Sequence, residues 1–149
     1  MRFTEGYWLR SQRVQEHYAQ QVWEMEPLED GMRLLVPLKR VSEKGDTVNV
    51  PCLTVTFRAV APDTISVRIV HFEGYNTHKP AFALKEDPQN AVIETSGDDI
   101  VMKAGTLCVR VNRKDFEYRF EKDGRVITRC GFRNLGYMQW DREPSTMLP

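Results

Sequence analysis

Between Pro51 and Cys130 the chain alternates apolar and polar residues at period two, and turn-forming residues interrupt the runs. Period-two alternation places successive side chains on opposite faces of an extended strand, so each run has one face to bury. The stretch DFEYRFEKDGRVITRC, residues 115–130, shows the grammar most fully. Phe116, Tyr118 and Phe120 alternate with Glu117, Arg119 and Glu121, and Asp123-Gly124 then leads into Val126-Ile127-Thr128. An Asp-Gly pair between two such runs predicts a β-hairpin, because a tight hairpin turn needs positive φ and glycine adopts it freely. Leu53, Val55, Phe57 and Ala59 alternate in the same way, as do Ile65, Val67 and Ile69. Ala61-Pro62-Asp63 separates these two runs. Val92–Thr95, Ile100–Lys103 and Leu107–Val111 read as further strands, divided by Ser96-Gly97-Asp98-Asp99 and by Ala104-Gly105. Short strands joined by frequent turns predict an all-β, antiparallel sandwich or barrel.

The two ends are less periodic. Val14, Tyr18 and Val22 fit one helical stripe, whereas Gln21–Glu26 also reads as a strand by alternation. Met32–Pro37 reads as a strand after a turn at Gly31. Asp141–Pro149 reads as an extended segment cut partway, so residues 135–149 are expected to begin a connection to something further.

Charge and size narrow the function classes. The chain has 149 residues, which suits one domain, with 21 basic and 21 acidic side chains. A balanced charge argues against a nucleic-acid partner, which selects a basic excess. No apolar run is long enough to span a membrane, and the first residues lack a secretory apolar core. Cys52, Cys108 and Cys130 are odd in number and far apart, which predicts buried free thiols in a reducing cytoplasm.

No catalytic, metal or cofactor motif is present: there is no Gly-rich phosphate loop, no paired-histidine zinc motif, no C-x-x-C and no nucleophile elbow. His17, His71 and His78 are scattered. His71, on the parity of Ile65, Val67 and Ile69, is expected to be half-buried and hydrogen-bonded. Glu29/Asp30, Asp98/Asp99 and Asp141/Glu143 are sequence neighbours, and a glycosidase pair must face across a bond about 5–9.5 Å apart. Asp98 and Asp99 are expected to cap backbone N–H groups in their turn. The loop carrying Tyr75, His78 and Phe82 could stack on a sugar ring or fold back on the sandwich, with Trp140 a further aromatic for an exposed platform.

A collinear set of segments carries a family resemblance: Gly6–Leu9, Gln21–Glu24, Gly45–Thr54, Val67–Gly74, Gly105–Val111, the Asp123-Gly124 hairpin and Asn134–Tyr137. In this order they resemble the N-terminal domain of glycoside hydrolase family 31, and among its members the bacterial α-xylosidases. The resemblance implies a galactose-mutarotase-like β-sandwich over residues 1–149, preceding a (β/α)₈ catalytic barrel. It favours strands over a long helix in the first 26 residues, Val22–Met25 among them. It implies retaining hydrolysis of an α-linked xylose or glucose by two aspartates of the barrel, so no catalytic residue is expected in this chain and no cofactor is implied. The sandwich is expected to pack against its own barrel, to share in subunit contacts and to lend a loop to the active-site rim. Lys44–Asn49 is the candidate loop. Asp46 and Asn49, with Tyr75 and His78, are the candidate substrate-edge residues. A free-standing carbohydrate-binding module and an assembly domain are the alternatives.

Overall fold

The computed structural model describes residues 13–71, 82, 85–131 and 133–140. It is an antiparallel β-sandwich, as the alternation predicts. One sheet has four strands in the order β2 (Glu24–Leu28), β3 (Gly31–Pro37), β4 (Cys52–Ala61) and β5 (Thr64–Val70). The other has five, which run from edge to edge as β10 (Arg125–Cys130), β9 (Tyr118–Lys122), β8 (Leu107–Asn112), β7 (Asp99–Ala104) and β6 (Val92–Ser96). β1 (Val14–Tyr18) and β11 (Gly136–Trp140) form a separate antiparallel pair. Each pairing within the two large sheets joins strands adjacent in sequence, so both are built by successive hairpins.

The core lies between the two sheets. Met32, Leu34 and Val36 of β3 and Val55, Phe57 and Ala59 of β4 are fully buried on one side. Ile100 and Met102 of β7 and Val109 and Val111 of β8 meet them from the other. Phe57 packs edge-on against Tyr118 at 5.3 Å and tilts against Phe120 at 6.5 Å, so the aromatic row of the hairpin closes onto the opposite sheet. Burying one such ring contributes roughly 1.5–3 kcal/mol.

Turns set the registers. Asp123 and Gly124 have φ of 50° and 74°, the left-handed pair that a two-residue hairpin demands. The β4–β5 turn is tied across to the β7–β8 turn by Asp63. Its Oδ1 accepts the Thr106 N–H at 2.8 Å and the Thr106 hydroxyl at 2.9 Å, and Lys122 approaches Oδ2 at 3.4 Å. Gly105 makes this staple close: its φ is +64°, and a Cβ there would lie 2.7 Å from Asp63 Oδ1.

Several expectations need correction. Val14–Tyr18 is a strand, as the resemblance favours, but the next strand starts at Glu24 rather than Gln21. Phe116 lies outside β9: it is buried but sits at φ 44°, a kink before the strand begins. β10 is not half-buried. Val126 and Ile127 are 55% and 59% exposed, because β10 overhangs the edge of the core. The three cysteines are free but half-buried rather than enclosed. Asp98 and Asp99 do not cap their own turn. Asp98 pairs with Lys114 at 2.8 Å, and Asp99 accepts from Asn112 Nδ2 at 3.3 Å. His71 is half-buried, yet its Nδ1 has no hydrogen-bond partner among the described residues. Its ring instead meets Tyr137 edge-on at 4.4 Å, and His17 stacks on the same tyrosine at 4.8 Å.

Candidate substrate-edge loop

The connection from β3 to β4 leaves and re-enters the sandwich side by side, since the Leu38 N–H donates to the Pro51 carbonyl at 2.9 Å. Buried Leu38 and Val41 root the loop. Gln21 holds Val41 in both directions: its Nε2 donates to the Val41 carbonyl at 3.2 Å, and its Oε1 accepts the Val41 N–H at 3.3 Å. The tip then winds into a 3₁₀ turn, Lys44–Thr47.

Asp46 organises that turn. Its Oδ2 accepts the Ser42 N–H at 2.9 Å and the Glu43 N–H at 3.2 Å, and Lys39 stands 3.7 Å from Oδ1. These two backbone donors, with Lys39 adding a smaller effect, hold the carboxyl below its ordinary value, so it stays ionised as an acceptor. Asp46 therefore clamps the loop from inside it. Asn49 is exposed, at φ 59°, a left-handed conformation that asparagine tolerates better than most residues. Val48 beside it is 69% exposed, an apolar side chain presented to solvent next to Asn49. Asp46 and Asn49 are candidates because their loop is polar, contains Gly45 and links two strands; that reading does not single out Val48.

The other two candidates, Tyr75 and His78, lie outside the described residues. Of the aromatics considered for a platform, Phe82 is 66% exposed while Trp140 is half-buried in β11, opposite Val14. No group of side chains fit to hold a metal ion occurs among the described residues, and none of the described helices is long and apolar enough to cross a membrane.

The outer face of the five-stranded sheet is more ordered than its charge alternation suggests. Glu121 accepts from Arg110 Nε at 3.4 Å and from Arg119 Nε, and the Cys108 thiol donates to it at 3.7 Å. The guanidiniums, Arg119 first, hold the Glu121 carboxyl below the usual range.

No family model matches the chain. Curated proteins similar to it include the α-xylosidase XylQ of Lactiplantibacillus pentosus, 26% identical over 86% of this chain, and an α-xylosidase of Emericella nidulans, 27% identical over 99% of it. The chain spans 17% and 20% of their respective lengths. Among solved structures, the cycloalternan-forming enzyme of Listeria monocytogenes, determined with a pentasaccharide substrate, matches with a TM-score of 0.62 at 13% identity. That match covers 87% of this chain and 11% of the enzyme, and it speaks for the fold. The sandwich and these similarities together relate the chain to carbohydrate-active enzymes, with a glycosidase-family, galactose-mutarotase-like fold.

Proposed function

We propose that this chain is the N-terminal β-sandwich domain of a retaining α-glycosidase of glycoside hydrolase family 31, acting on an α-xyloside or α-glucoside. The observation that carries this reading is the similarity to two α-xylosidases along nearly the whole chain. In this reading the catalytic carboxylates belong to a barrel beyond the sandwich. The sandwich packs against that barrel, and the overhanging β10 with its exposed Ile127 offers apolar area for such packing or for contact with a second subunit. The clamped loop 44–49 supplies the active-site rim, with Asn49 as the polar contact. Asp46 holds the loop in shape for it. Tyr75 and His78 complete the proposed edge.

Two experiments test the reading. Residues 1–149 incubated with an aryl α-xyloside are expected to release no more aglycone than a mock preparation, and clear turnover overturns the accessory role. In the full-length enzyme, Asn49→Ala is expected to raise KM with kcat little changed, as loss of a binding contact does. An unchanged KM would remove Asn49 from the rim.

A further inference from the structure

We propose that the outer face of β7–β10 holds a second ligand site, an open groove that binds a neutral saccharide. It is separate from the 44–49 loop and independent of the reading of that loop. The groove has a volume of about 770 Å³, within the range of small-molecule sites. Three carboxylates, Asp99, Asp115 and Glu117, and three guanidiniums, Arg110, Arg119 and Arg129, line it together with Asn112. The balance decides the ligand class. An anion entering the groove would face three carboxylates, and a cation would face three guanidiniums. A ligand with hydroxyl groups both donates to carboxylates and accepts from guanidiniums, so it complements both sets at once.

The groups are also held in place before any ligand arrives. Glu121, its side chain only 13% exposed, stands outside the lining and takes the Nε of both Arg110 and Arg119. A guanidinium carries five N–H donors, so donors other than Nε are left for the groove. Asp99 stands 3.6 Å from Arg110 Nη1 and accepts from Asn112. The Asn112 side-chain oxygen in turn accepts the N–H groups of Lys114 and Asp115 at 3.0 and 3.2 Å, which fixes the turn that carries Asp115. Between Asp115 and Glu117, Phe116 is held at φ 44°. That conformation is costly for a bulky side chain and brings two rim carboxylates into the groove lining. Preorganised polar groups of this kind lower the ordering cost of binding. Tyr118 is the one aromatic side chain in the lining and its ring packs edge-on against Phe57, so no stacking platform is offered and binding is expected in the millimolar range.

The test is an amide NMR titration of residues 1–149 with maltose, with sodium sulfate and putrescine as charged controls. Expected are saturable maltose shifts at Arg110, Asn112, Arg119 and Gly131, absent with either ion. Arg119→Gln and Arg129→Gln should each weaken them at least about fivefold. Arg129 sits on the exposed edge strand, so its variant is expected to keep a native, well-dispersed spectrum. No shifts up to high millimolar maltose, equal shifts with sulfate, or unchanged binding in a folded Arg129→Gln protein would each overturn the proposal. Hydrolysis by the chain would bear on the accessory-domain reading and not on this one.

Discussion

β4 and β10 are written in the same grammar and end in opposite environments. β4 carries Leu53, Val55, Phe57 and Ala59 at alternate positions, all buried. β10 carries Val126-Ile127-Thr128, equally rich in β-branched residues, and nearly all of it is exposed. Composition does not separate them. Position does: β4 lies inside its sheet between β3 and β5, and the aromatic row of β9 covers its inner face. β10 is an edge with one neighbour, and its register with β9 shifts between Val126 and Thr128. A bulge and flanking arginines are ordinary protections of an exposed edge. Alternation therefore reports which residues share a face, while coverage of that face depends on what the other sheet reaches.

The largest expected effect breaks the covered side of this comparison. Phe57→Ala should destabilise the chain by about 3–5 kcal/mol, because it removes the ring that joins the two sheets and leaves a cavity. Chemical denaturation read by tryptophan fluorescence would measure it. Gly105→Ala comes next, at about 1–2 kcal/mol from the left-handed backbone alone, with the contact to Asp63 added. The matching change at Gly97, φ +60° with open space around it, should cost the backbone part only, so the two variants separate strain from contact.

Asp63→Asn should have a smaller, pH-dependent effect. The Thr106 N–H and hydroxyl, and then Lys122, hold the Asp63 carboxyl below its ordinary value. A carboxyl whose folded pKa is depressed stabilises the fold above the unfolded value, and that contribution is lost as pH falls through the folded one. Wild type should therefore melt above the variant at neutral pH, and the gap should close on acidification below about pH 4. Thermal melts at several pH values check this. A gap that persists in acid would show that the staple is steric rather than charged. The smallest effect is expected on the uncovered side. Ile127→Thr should change stability by less than about 0.5 kcal/mol, yet reduce self-association measured by sedimentation. A large loss of stability would mean that β10 is covered after all.

Much of the fold was legible. The Asp-Gly hairpin, the β4 and β5 runs and the turn at Gly97 stand where the pattern put them, because these features depend on neighbours in sequence. Less of the site was legible. Asp46 was chosen as a polar residue on a loop, but its clamp on Ser42 and Glu43 depends on how the 3₁₀ turn folds back. The alternation in β9 shows only that Arg119 and Glu121 share a face. Only when β8 lies beside β9 does Glu121 receive Arg110 as well as Arg119, and a charge pattern becomes a fixed array.

The sequence by itself determined the strands, their inward residues and their turns, since period two and the φ demands of Gly and Asp act over a few residues. Tertiary structure decided which strands lie at edges, which carboxylates became clamps and where a groove opened. Those outcomes need partners brought together from distant segments, such as Asp63 with Thr106 and Gln21 with Val41. Local pattern carries no term for such meetings.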